Sequence, residues 1–395
     1  MRTHLTALAA LTALIIASSL AGCSAQEDGR DVSSASAVNA SPGRFGQAAP
    51  ESRLATPAPE THCSPAPALM RNALCVCGSL EHAGSLTTEG RTAGQAANVG
   101  IEGHFHGATG SRIGGTLRAV EGVSTAGELR IAGNLFSRAS VETTGTLAVE
   151  GDLAAGGDML GVGTVDVHGT LRVAGETTLV GPHTIAARGA YGDTGASICG
   201  CDAPYDVAGA VKIARTTNDN AARGIQADGH PRVGETELAL PAGRYYVAGL
   251  TSVGVRHLKI DGAVQLYVDG DLEHVGDDVF ELAPGATLDL FVAGNVRTVG
   301  SVRLGDASRP EAFRLYVGGA GRIEITGTAE LAGLVYAPTA DVDMAGTAVI
   351  EGGLTAHSIS YAGDLTVRYS PVTAQGEKCE EKSVPAPPTT GNDLR

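Results

Sequence analysis

Glycine and aliphatic residues alternate in a fixed frame through the first half of the chain. Gly115, Gly127, Gly133, Gly145, Gly151, Gly157, Gly163, Gly169, Gly175 and Gly181 stand six or twelve residues apart. Two places after them come Leu117, Leu129, Leu135, Leu147, Leu153, Met159, Val165 and Leu171; four places after come Ile131, Val149, Val167, Val173, Leu179 and Ile185. The unit Gly-x-Leu-x-Val-x puts both aliphatic residues on one face of a strand and a glycine at each bend. Three units make a triangular coil of 18 residues, and the segments starting at Gly127, Gly145 and Gly163 repeat at that interval. A slip of one residue would turn every Leu to solvent, so the register is strongly specified. The pattern predicts stacked coils from about Ala97 to Ala187, roughly five turns rising about 4.8 Å each.

Between Asp206 and Ala222 the alternation stops. Val207, Ala210, Val211, Ile213 and Ala214 have helical spacing and predict one helix on a flank or end of the coils. Strands return with a longer period: Val264–Leu272 is matched by Leu288–Val296, 24 residues on, then by Phe313–Gly319, Leu334–Pro338 and Leu354–Ser360. The fold class expected is therefore all-β, a right-handed parallel β-helix with triangular coils and one short flanking helix.

The hexad repeat resembles that of the bactofilins, polymer-forming bacterial scaffold proteins, over roughly a quarter of the chain. That resemblance implies self-assembly. The second half, through Asn218 to Ala221, Pro241 to Tyr246, Leu288 to Gly294 and Leu334 to Pro338, resembles an uncharacterised β-helical domain of exported myxobacterial proteins, also found behind PilX-type segments. That resemblance implies a fold and an exported setting, and no activity.

Composition supports thin stacked coils over a thick globular core: 55 Gly, nine Tyr, six Phe and no Trp in 395 residues. The net charge of −15 repels phosphate backbones, so nucleic acid is not an expected partner. From Ser24 to about Pro67 the chain is rich in Ser, Ala, Pro and charge without hydrophobic period, and reads as a tether with a coil dimension of roughly 35 Å. The stretch Ser383–Pro388 lies in a second such tail. The segments are accordingly 1–22 leader, 23–67 tether, 68–200 hexad coils, 201–240 helical insertion, 241–372 larger coils and 373–395 tail.

The leader is an apolar run from Leu5 to Leu20, shorter than the roughly 20 residues of a bilayer span. It ends in Leu20, Ala21, Gly22 and Cys23, which resembles the lipobox of bacterial lipoproteins. The resemblance implies cleavage before Cys23 and acylation of that residue, and Ser24 resembles the sorting signal for the outer membrane. Two or three acyl chains would hold the protein to the membrane almost permanently. The expected location is the cell envelope, lipid-anchored at the outer membrane on its periplasmic or surface-exposed face.

Six cysteines remain: Cys63, Cys75, Cys77, Cys199, Cys201 and Cys379. An even number in an exported chain points to disulfides. The units at Cys75/Cys77 and Cys199/Cys201 are too tight to close on themselves without strain, so cross-pairing between them is favoured, leaving Cys63 with Cys379. The alternative is a four-cysteine zinc site assisted by His104 and His106.

Asp269, Asp271, Asp277 and Asp278 could form an oxygen-rich calcium site or a glycan-cleaving pair, against the plainer reading of a solvated loop. Arg244, Tyr245 and Tyr246 could contact a ligand or pack at a coil edge. No cofactor is expected. The leading expectation for function is a non-catalytic, lipid-anchored envelope protein of structural or adhesive type, with surface polysaccharide, matrix protein or its own copies as partners. Alternatives are a polysaccharide lyase or hydrolase and an envelope-side polymer of the bactofilin kind.

Overall fold

The computed structural model describes residues 72–192, 199–202, 204–225, 237–319 and 321–371. They form a β-solenoid of about eleven turns in which every inter-strand pairing is parallel. At about 4.8 Å per turn it is ~50 Å long. Two short helices accompany it, α1 (Val207–Ala214) and α2 (Asn220–Arg223). The expected helix is α1, which ends where its apolar spacing stops and Asn218 turns back to bond the Ala214 carbonyl (2.9 Å); α2 is a second short helix that the spacing did not mark.

In the hexad half, Val141 lies opposite Val123 and Met159, and Leu153 opposite Leu135 and Leu171, the 18-residue register expected. Leu129, Leu135, Leu147 and Leu153 are fully buried. Coiling starts earlier than Ala97, however. The strands Leu74–Val76, Leu80–His82 and Ser85–Gly90 form a first coil, with Leu74 opposite Val99 and Leu80 opposite Phe105, 25 residues on. Seven residues more than the repeat length separate these two coils, which hides the first from a search at fixed period.

The second half begins with Glu237–Val247 and proceeds coil by coil to Arg322–Tyr369. Its last coil does not end the solenoid. Leu354, Ile359 and Leu365 pair in parallel with Leu74, Leu80 and Leu86 of the first hexad coil. The chain therefore enters the stack in its middle, winds outward to Gly189, crosses back outside, and winds inward from Glu237 until its end meets its beginning. A single hydrophobic core runs through both halves.

The junction is finished with polar side chains. The buried His82 ring stacks on Tyr361 (5.2 Å between centroids, planes 8° apart), holds Ser111 Oγ at Nε2 (2.9 Å) and the Gly84 carbonyl at Nδ1 (2.8 Å). Burial lowers the His82 pKa, so the imidazole is neutral near pH 7. On the surface Arg368 bridges Glu89 and Glu351 across three coils (2.8 Å each).

One corner of the triangle is a column of glycines along the whole stack: Gly254, Gly276, Gly300, Gly327, Gly346, Gly363, Gly84, then Thr109, then Gly127, Gly145, Gly163 and Gly181. At Gly145 φ is +125°, and a Cβ would sit 2.9 Å from the Gly127 carbonyl carbon. Both the left-handed backbone and the approach of the neighbouring coil require glycine there.

Candidate functional site

The crossover is tied down by cystines. Cys75 and Cys77 sit two residues apart on the first coil, where Cys75 alternates with the inward Leu74 and Val76. Cys75 bonds Cys199 and Cys77 bonds Cys201, with Cα separations of 5.4 and 5.7 Å. This is the cross-pairing expected, and it leaves the four sulfurs unavailable as zinc thiolates. His104 and His106 flank the buried Phe105 on the outer side of their strand; among the described residues no three His, Cys, Asp or Glu side chains converge as a metal set. Cys23, Cys63 and Cys379 lie outside the described residues.

Beyond the cystines the returning chain forms α1. Asp206 caps it by accepting from the Gly209 N–H (2.8 Å), and Val207, Val211 and Ala214 form its buried stripe. The stripe covers an aromatic column on the outer face of the larger coils. Tyr246, Tyr267, Phe291, Tyr316 and Tyr336 occupy register-equivalent positions. Tyr267 stacks on Phe291 and Phe291 on Tyr316, each with centroids 4.6 Å apart. Sequence reasoning missed this second core, although an aromatic at one fixed place in each copy is a readable signal. Burial pushes the Tyr267 hydroxyl up to about 12; Tyr246 reaches about 12 through burial and its hydrogen bond to Asp269 (2.6 Å). At the head of α1 a cleft of about 380 Å³ opens between Tyr205, Val207, Gly318 and Pro338.

Polar groups also enter the main core of the larger coils. Ser252, His274 and Thr298 follow one another in register, as do Arg256 and Asp278. Arg256 grips Asp278 through Nε (2.8 Å) and Nη2, and its Nη1 reaches the Leu250 carbonyl (3.3 Å). Ser252 Oγ lies 2.7 Å from His274 Nδ1, the spacing of a nucleophile and base. His274 is 1 % exposed, burial lowers its pKa, and its buried Nε2 has no hydrogen-bond partner among the described residues.

The four acids singled out in the sequence are not brought together as a set. Asp269 accepts from Tyr246, Asp278 is buried on Arg256, and Asp277 is exposed. Asp271 Oδ1 accepts the Asn295 N–H (2.7 Å) and Asn295 Oδ1 accepts the Arg322 N–H (2.8 Å), a ladder that braces a corner. The hexad half has its own version through Asn98, Thr116, Asn134, Asp152 and Thr170. Of the trio Arg244, Tyr245 and Tyr246, the guanidinium lies over the Tyr267 ring (4.8 Å), Tyr245 is in the core and Tyr246 is under α1.

Together these features define a disulfide-stapled parallel β-solenoid with one helix-covered face. Residues 203–375 match the family model described as a domain of unknown function, DUF7305, so the chain carries a DUF7305 domain. That span holds α1, α2 and the larger coils; the hexad half stacks on its final coil. No curated protein matches the chain. Among solved structures, the ice-binding protein from an Antarctic bacterium of the Flavobacteriaceae aligns at 10% identity and a TM-score of 0.11, covering 76% of this chain and 97% of that one. No helix among the described residues is long and apolar enough to cross a membrane.

Proposed function

We propose that this protein is a lipid-anchored, non-catalytic rod of the cell envelope, held through Cys23, that serves envelope architecture or adhesion. The observation that carries the reading is the pair of cystines joining residues 124 positions apart. Disulfides persist in oxidising, exported compartments. Here they fasten the crossover to the middle of the stack, which suits a part built to keep its shape. The lipobox-like Leu20 to Cys23 supports the anchor, and Ser24 supports the outer membrane. Long ladder-like faces supply surface for a polysaccharide or matrix protein.

The test is fractionation and mass spectrometry of the protein from its own cells. A diacylated N-terminal peptide beginning at Cys23 is expected in the outer-membrane fraction, and Cys23→Ala should move the protein to the soluble fraction. Export without acylation, or an unprocessed leader in untreated cells, overturns the anchor. Retention of envelope polysaccharide by the mature protein on a column tests the binding role.

A further inference from the structure

The two ends of the solenoid are finished differently. At one end the α2 segment bonds the edge strand Glu237–Val247 at two residues, Arg244 and Tyr246. Asn220 donates Nδ2–H to the Tyr246 carbonyl (2.7 Å) and accepts the Tyr246 N–H at Oδ1 (2.9 Å). Asp219 accepts the Arg244 N–H (2.8 Å) and donates its own N–H to the Arg244 carbonyl (2.7 Å). Ile225 packs on the core beside them. Asn220 and Asp219 thus do for Arg244 and Tyr246 what another strand would do, while Leu250–Val255 of the same end pairs only with the coil that follows it among the described residues.

The opposite end has no such cover among the described residues. Thr177–Val180 and His183–Gly189 pair with the coil before them, and no pairing beyond them occurs among the described strands. Ile185 lies opposite Val167, which is fully buried, yet Ile185 is only partly buried; Leu179 is likewise half covered, and Val180 is 57% exposed. Half of the core's last layer and a row of backbone donors and acceptors face outward, an arrangement that recruits another chain.

We propose that this open coil is the interface for a second copy of the chain, open end against open end. Coil-on-coil contact without chain continuity already exists inside the molecule, where Leu354–Tyr361 stacks on Leu74–His82 in parallel; between two copies meeting at the same end the strands would run antiparallel. The open coil also suits self-contact by charge. In a chain of net −15, residues 177–189 contain no Asp or Glu, so two copies meet there without the carboxylate repulsion the rest of the surface imposes. Three sides of about 20 Å, each covered to a depth of about 10 Å, remove about 600 Å² per copy, the lower edge of the ~600–1,000 Å² per partner in stable complexes. The contact is isologous and closes at two.

Light scattering on the mature chain carrying Cys23→Ser, so that no acyl group contributes, should give twice the monomer mass at tens of micromolar and dissociate on dilution. Val180→Asp, at an exposed position that leaves the fold untouched, and Ile185→Asp should each weaken dimerisation at least tenfold with unchanged circular dichroism. Val253→Asp, at the opposite end, should not. A monomer at every concentration overturns the proposal, as do open-ended filaments and a dimer indifferent to Val180→Asp. A photo-crosslinker at position 180 should join two chains; a crosslink to residues 1–71 or 372–395 of the same chain would mean that the protein caps its own end, and the proposal fails.

Discussion

Gly145→Ala tests the glycine corner directly. With φ at +125° the alanine would occupy backbone space that L-residues rarely enter, at a cost of about 1–3 kcal/mol. Its Cβ would also meet the Gly127 carbonyl group, 2.9 Å from the carbon and closer still to the oxygen, and 3.1 Å from its Cα. Those atoms are backbone, fixed by the pairing of Val123–Ile131 with Val141–Val149, so relief requires parting two coils. Overpacking of this kind adds about 1–3 kcal/mol, for a total of about 2–6 kcal/mol. Gly94 supplies the comparison: φ is +81° and no atom lies within 4 Å of a Cβ there, so Gly94→Ala should cost only the backbone share. A stacked array does not unfold as one unit, and hydrogen exchange resolved by segment is therefore the assay. Amides of 123–131 and 141–149 should lose protection by about two to four orders of magnitude in Gly145→Ala, while those of 264–292 change little. If Gly145→Ala matches Gly94→Ala, the corner is more compliant than this geometry allows and the reasoning fails.

Other consequences are open to similar measurement. The two cystines close nearly the same loop, so breaking either alone should cost little, whereas replacing all four cysteines should cost about 5 kcal/mol in urea unfolding, the loop-entropy value for 124 residues. Asp278→Ala leaves Arg256 buried without its counter-ion and should cost about 3–5 kcal/mol, while the double variant Arg256→Met/Asp278→Leu should recover most of it. His82 and His274 are neutral in the fold with pKa values lowered by burial, so the unfolded chain binds protons first as pH falls. Their contribution is intact above about 6.5 and is lost as pH drops below it toward the lowered folded values. Melting temperature should fall across that window, and the double variant His82→Gln/His274→Gln should flatten the fall; an equal slope in both proteins would refute the assignment.

What the sequence determined by itself is what depends on neighbours at fixed spacing. The hexad from Gly115 to Gly181 set strand faces, corners and register, because alternation and a bend every six residues are local properties. The helical spacing of Val207, Val211 and Ala214 marked α1 in the same way. The cysteine pairs were readable because two Cys-x-Cys units offer few unstrained partners. Only the tertiary structure decided which coil stacks on which. A coil presents the same parallel backbone edge wherever it lies in the chain, so nothing local told Leu354 to pair with Leu74, or hid the first coil less well behind its longer connection. Nor could spacing say that Asp278 turns inward to Arg256 while Asp277 faces water, since that depends on how the Gly276 corner sets the alternation of the strand that follows it. The meeting of the last coil with the first was fixed by the disulfide-held crossover and by the matching of two apolar layers, contacts that exist only once the chain has folded.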